Sequence, residues 1–217
     1  DQRGCGASSK DRISYDVPTM SDDMLAVLDA LGIEKVHCVG HAVGAVIAQE
    51  MALRHPDRVA SIVMEGAWAR IDPYFRRVFE IRKDLLMQCG RMAYVRAMPL
   101  FLNTPEWVSL NMAEIEAGEA AFADHLPPDE ILLSRIDAFC AWEAGDRLAD
   151  LRCPVLVCGA SDDHLVPIHC AHELARLIPT ARSHYFPTGG HSMSQTHADT
   201  FNPVVLRFLD TVTAHGP

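Results

Sequence analysis

Short apolar runs rich in β-branched residues alternate along this chain with stretches of helical character. Val36–Val39, Val59–Met64, Val155–Cys158 and Ser183–Phe186 read as strands, each bounded by polar or turn-forming residues. Val43–Arg54 has helix-favouring composition and is closed by His55-Pro56, and a further helix is predicted around His169–Leu177. Nearly continuous apolar strands separated by amphipathic helices indicate an α/β fold, a mostly parallel sheet covered on both faces. Between the second and third strands lie roughly ninety residues with no strand signal. Within them Phe75, Val78, Phe79, Ile81, Leu85 and Leu86 recur near helical spacing and predict a helix over 74–89. Trp107–Phe122 follows Pro105, a residue suited to a helix's first turn, and Ile131–Trp142 forms a third helical piece. The favoured reading is a helical lid over the strand ends, where open α/β sheets place their ligands. Ordinary helical layers on the sheet are the alternative. The expected organisation is a core domain formed by 1–65 and 151–217, interrupted by a lid over 66–150.

Composition narrows the class of partner. The chain has 217 residues, 49% of them hydrophobic, and a net charge of −10. That length suits one domain or one domain with a small lobe. No apolar run approaches the roughly 20 residues of a membrane span. The negative charge argues against nucleic acid and anionic membranes, which call for basic surfaces. The charge itself reads mainly as a solubility feature, and the expected partner is a small-molecule substrate. Seven cysteines form no framework spacing, and Cys38 and Cys158 fall inside predicted strands, where cysteine behaves as a small hydrophobe. The expectation is a reducing cytoplasm. No signal-peptide pattern is visible.

The most informative stretch is Val36–Ala45. A strand runs into Gly40-His41-Ala42-Val43-Gly44 and then into a helix, the layout of a nucleophile elbow, a strained turn that lifts one side chain above the sheet. Gly40 and Gly44 are expected where backbones pass closely. The raised position, ordinarily a nucleophile, is Ala42. Two later segments supply the usual partners in the usual chain order. Gly159–Pro167 follows a strand and carries Asp162 and Asp163, and Gly189-Gly190-His191 follows the last predicted strand. Asp163, four residues before Pro167, is favoured over Asp162 as the acid behind His191. The Val43 N–H, at the start of the elbow helix, is the candidate oxyanion donor.

Other residues are weaker candidates. His41, Trp68, Arg70 and Trp107 are assigned to substrate binding, although for the aromatic residues plain lid core is at least as good a reading. Arg3, in the Asp1–Gly6 loop, is expected to hold loops together. His164, His169 and His172 do not complete a recognisable metal set, so no metal and no cofactor are expected.

With these residues in hand, the chain resembles the α/β-hydrolase fold family. Its likeness is to the carbamate or aminoacrylate hydrolases of the Rut pyrimidine-degradation pathway. The likeness rests on DQRG at 1–4, GHAVGA at 40–45, GAWARID at 66–72, PLFL at 99–102, CPVLVCGASDDHLVP at 153–167 and GGH at 189–191. It covers nearly the whole chain. That group also carries Ala at the elbow, whereas the other segments are shared with lid-bearing esterases and lactonases that keep a Ser. Proteins of this family have further strands before the DQRG loop, including one whose loop contributes to the oxyanion hole. The expectation is therefore that N-terminal strands are missing from this sequence and that the elbow strand has an open edge. Related proteins are often dimers, which makes a homodimer compatible with the resemblance.

Three functional readings follow. In the first, a hydrolase acts on a small labile enamine or carbamate, with an Asp163–His191 dyad activating water directly. The second is a serine esterase or lactonase in which Ala42 replaces the Ser. The third is a fold kept for ligand or protein binding without catalysis.

Overall fold

The structure is a computed structural model that describes residues 1–11 and 14–214. Four strands, β1 (Val36–His41), β2 (Val59–Glu65), β3 (Val155–Ala160) and β4 (Ala181–Phe186), form one parallel sheet in the order β1-β2-β3-β4. Their side chains alternate between faces. Ile62, Met64, Val155 and Val157 pack into the larger core with α2 (Val43–Arg54) and α7 (Ile168–Leu177). Val63, Leu156, Cys158 and Ala160 face a second core with Phe201, Val205 and Phe208 of α9 (Ala198–Ala214). Burial on both faces explains why β2 and β3 are nearly all apolar, whereas the outer strands β1 and β4 keep exposed and polar positions. β1 pairs only with β2 among the described residues, so its other side is an open edge, and Val39 on it is 56% exposed.

Helix α1 (Val17–Ala30) precedes β1 and lies against α2, its first turn capped by Asp16, which accepts the Thr19 N–H. Arg3 grips this helix with a two-pronged contact to Asp23, at 2.6 and 2.8 Å, so the initial loop is tied down as expected of a structural Arg. All seven cysteines are free.

Between β2 and β3 the chain is helical. It forms α3 (Pro73–Asp84), α4 (Arg91–Leu102), α5 (Pro105–His125) and α6 (Asp129–Ala141). α3 and α5 begin as their sequences dictate, with Asp72 and Thr104 as N-caps followed by a proline. The helix expected over 74–89 divides, because α3 gives way to a π-turn at Leu85–Cys89 before Gly90 ends it. Arg91 clamps the α5–α6 connection through the carbonyls of Ala123, Leu126 and Pro127 and through the Asp129 carboxylate. Inside the insertion Trp68, Phe75, Phe79 and Phe139 form one aromatic cluster with centroid separations of 4.6 to 6.3 Å. The insertion is bolted to the sheet layer at buried Glu50 of α2, which accepts from Trp142 Nε1 at 3.0 Å and Arg147 Nη2 at 3.3 Å.

Candidate active site

The site is assembled at the C-terminal ends of β1, β2, β3 and β4. β1 ends at His41, and Ala42 adopts φ 49°, ψ −117°, which makes it the only non-glycine residue with positive φ among those described. Such a backbone costs about 1–3 kcal/mol and persists only where the surroundings enforce it. Enforcement comes from both sides. The Ala42 N–H donates to Glu65 O at 2.8 Å, and the Ala42 carbonyl accepts from Ala45 and Val46 to open α2. A β-carbon at Gly40 would overlap the backbone of Gly44 and Ala45, so only glycine fits there. Gly44 differs from expectation. A β-carbon there meets nothing within 4 Å, so close backbone approach demands the first glycine of the turn and not the second.

His191 sits in the loop after β4, directly following Gly189 (φ 139°) and Gly190 (φ 65°), conformations that favour glycine. The imidazole is 2% exposed. Its Nδ1 donates to Asp163 Oδ2 at 2.8 Å, while Asp163 Oδ1 accepts the N–H groups of Leu165 and Val166, each at 2.8 Å. A carboxylate so engaged only accepts, which places the His191 proton on Nδ1 and leaves the Nε2 lone pair free. The neighbouring Asp162 is not at the imidazole. It accepts from Thr188 Oγ1 at 2.6 Å and from the N–H groups of Gly190 at 2.9 Å and Gly189 at 3.4 Å, holding the glycine loop that presents His191. Burial works against its charge, but these donors outweigh it and hold the Asp162 carboxyl below the usual range. The two adjacent acids thus divide the work, one orienting the ring and the other its loop.

The elbow and His191 meet. His41, immediately before Ala42, stacks on His191 with centroids 4.5 Å apart, and its Nε2–H donates to the His191 carbonyl at 2.9 Å. Burial, reinforced by the proximity of His191, pushes the His41 pKa down to about 4, so this second imidazole stays neutral. On the other flank Gly66 follows the residue that receives the Ala42 N–H, and a β-carbon built at Gly66 would lie 2.7 Å from His191 Cε1. Val43 is the first residue of α2, so its N–H lies in the helix's opening turn, where backbone donors lack intrahelical acceptors.

The remaining candidates scatter. Trp107 lines a cleft of about 330 Å³ between α4 and α5, together with Met98, Leu102, Asn103, Asn111 and Phe122. The cleft adjoins the His191 loop, because the Leu102 carbonyl accepts the Ser192 N–H at 2.9 Å. Trp68 is 1% exposed within the aromatic cluster, and Arg70 pairs with Glu173 and Asp146 at the seam between insertion and sheet; neither is brought to the dyad. Of the three histidines considered for metal, only His169 joins a cluster of metal-ligating side chains among the described residues, with Asp72 and Cys170. Asp72 there already caps α3 and binds His169 Nε2 at 2.7 Å.

Sequence reasoning missed Glu65. It is buried at the end of β2, and its Oε1 accepts the Ser194 N–H at 2.8 Å, just beyond His191. A Glu closing an apolar run reads as the first solvated loop residue, and no pattern in the chain signals otherwise.

A parallel sheet covered on both faces, an elbow after one strand, and an acid and a histidine after two later ones define an α/β hydrolase. A family model described as alpha/beta hydrolase fold matches residues 1–92. The chain is 43% identical over 212 residues to the Azorhizobium caulinodans protein named "Putative carbamate hydrolase RutD", covering 98% of this chain and 80% of that one. A protein of the same name from Caulobacter sp. is 40% identical, with coverage of 96% and 78%. The chain therefore belongs to the α/β hydrolase family. The crystal structure of the enol-lactonase from Burkholderia xenovorans LB400 superposes with a TM-score of 0.86 at 24% identity, over 97% of this chain and 79% of that one. At that identity the likeness concerns the fold. Among the described residues no helix is long and apolar enough to cross a membrane.

Proposed function

We propose that this chain is a hydrolase of a small, labile carbamate- or aminoacrylate-like substrate, working in the cytoplasm by direct activation of water. The observation that carries this reading is a methyl group at the strained elbow position, next in sequence to the His41 that stacks on an imidazole whose Nδ1 is fixed on a buried carboxylate. The names of the relatives point to the same C–N chemistry. His191 Nε2 takes a proton from water as the oxygen adds to the substrate carbon. The Val43 N–H stabilises the negative charge that develops on the substrate oxygen. The imidazolium then returns the proton to the departing nitrogen as the C–N bond breaks, so a carbamate yields ammonia and bicarbonate and His191 is regenerated. Loss of a serine nucleophile costs on the order of 10⁶ in turnover, yet roughly 10³–10⁴ over water survives from binding and oxyanion donors. That residue is of little use for an ester and sufficient for a substrate that already decomposes readily. The α3–α6 insertion serves as the lid, with His41 and the Trp107 cleft on the substrate side.

A second reading, an esterase or lactonase with Ala in place of its Ser, is favoured by the strained elbow itself, since that geometry exists to present a side chain. Ammonia release from a carbamate, measured for the wild type, His191→Ala and Asp163→Asn, tests the first reading, which requires both substitutions to lower it at least a hundredfold. Ala42→Ser separates the two. Strong p-nitrophenyl acetate turnover with an acyl-enzyme burst sinks the water mechanism, whereas no burst supports it. A fold kept only for binding predicts no ammonia release above the uncatalysed rate from any of these proteins.

A further inference from the structure

Glu65 is a buried carboxylate that the mechanism above leaves unused. It closes β2 one residue before Gly66, where a β-carbon would lie 2.7 Å from His191 Cε1. Its backbone carbonyl holds the elbow through the Ala42 N–H at 2.8 Å, and its side chain holds the short helix α8 (Met193–Thr196) through the Ser194 N–H at 2.8 Å. One residue therefore anchors both halves of the site, the elbow at Ala42 and the turn after His191. A buried carboxylate whose hydrogen bonds come from Ser194 alone, its N–H and its hydroxyl, is costly to keep in an apolar strand. Gln would accept the same N–H without a charge, so that bond alone does not account for Glu.

We propose that Glu65 is a positioning residue of the active site, which pins the turn after His191 and supplies the imidazole with a second negative charge beside that of Asp163. The charged and titratable groups around the pair are Asp163 from the loop after β3, His41 from β1 and Cys158 from β3. Burial keeps His41 neutral and pushes the Cys158 thiol up to about 12, so neither adds a charge near His191. Burial raises the Glu65 carboxyl above its ordinary range, opposed by hydrogen bonds from the Ser194 hydroxyl and N–H and by His191.

The proposal rests on His191 being the base, but its test needs no substrate, so it stands or falls separately from the hydrolase reading. Histidine ring resonances are followed by NMR from pH 4 to 9 in the wild type, in Glu65→Gln and in Ser194→Pro. Glu65→Gln keeps an acceptor for the Ser194 N–H and removes the charge. Ser194→Pro keeps the charge and removes the N–H and the hydroxyl that bond it, at a position in a helix's first turn where proline is tolerated. The expected result is a fall in the His191 titration midpoint of about one pH unit in Glu65→Gln and a smaller fall in Ser194→Pro. An imidazole that titrates within 0.2 units, roughly the precision of such midpoints, of the wild type in either folded variant overturns the proposal. A merely structural Glu65 changes the melting temperature and leaves that midpoint where it is.

Discussion

Gly66→Ala tests how tightly the site is built. Two separate penalties converge on this residue. Its φ of 57° lies in the left-handed region, where a β-carbon costs about 1–2 kcal/mol. That β-carbon would also lie 2.7 Å from His191 Cε1 and 2.9 Å from Nδ1, whereas carbon contacts settle at about 3.5–4.0 Å. Something must move by roughly 0.8 Å or more, and His191 is buried and held on Asp163. Overpacking of this kind costs a further 1–3 kcal/mol or so, which brings the total to about 3 kcal/mol. For a chain of this size that lowers the melting temperature by roughly 6–12 °C. If the ring yields, its 2.8 Å hydrogen bond to Asp163 stretches past the useful range, and a misplacement near 1 Å costs about 10² in rate.

Two other glycines separate these contributions. Gly32 has φ 65° with nothing within 4 Å of its absent β-carbon, so Gly32→Ala reports the backbone penalty alone. Gly44, in the first turn of α2 and equally unobstructed, carries no positive φ, so Gly44→Ala should be neutral or stabilising by up to about 1 kcal/mol. Thermal unfolding by circular dichroism ranks the three, and the downfield Nδ1 proton of His191 reports the dyad. The expected order of stability is Gly44→Ala, then Gly32→Ala, then Gly66→Ala, with the downfield proton lost only in the last. A Gly66→Ala protein no less stable than Gly32→Ala, with that proton intact, refutes the claim that the end of β2 and the His191 ring are in packed contact.

Two further predictions follow from the charges. Because the folded-state pKa of His41 is depressed from 6.5 to about 4, the unfolded chain binds a proton in this window and the folded chain does not. Stability from this group is therefore full above pH 6.5 and is lost as pH falls towards 4, by an amount of order 3 kcal/mol; His41→Asn should flatten that slope in melting temperature against pH, and an unchanged slope contradicts it. Asp162→Ala strips the acceptor from Thr188 and two glycine N–H groups and should cost about 1–3 kcal/mol while leaving the His191–Asp163 proton in place; Asp163→Asn should lose that proton with a smaller effect on the glycine loop, and the reverse pattern would exchange the roles assigned to the two acids.

The strand errors of a pattern-based reading fall in a telling place. Three predicted strands stop short at the same end: Val36–Val39 where the strand reaches His41, Val59–Met64 where it reaches Glu65, and Val155–Cys158 where it reaches Ala160. An apolar criterion truncates these strands where the site begins, because their last residues are glycine, alanine or polar rather than β-branched: Gly40 and His41, Glu65, and Gly159 and Ala160. The fourth, Ser183–Phe186, is short at its other end, where Ala181 and Arg182 lack β-branched character. Two of the helices that escaped prediction have equally local causes. α4 and α9 each contain an internal proline, Pro99 and Pro203, which reads as a break. The elbow, the acids and His191 were legible because each is flanked by glycines or prolines that no ordinary strand or helix would tolerate. Glu65 was not, because its meaning depends on a contact with Ser194, 129 residues away, that leaves no local signature. The same contact explains why a charged residue is tolerated at the end of a strand otherwise buried on both faces. Its partner belongs to the loop that closes the site, and the cost of burying it is set against the geometry of His191 rather than against the stability of the sheet.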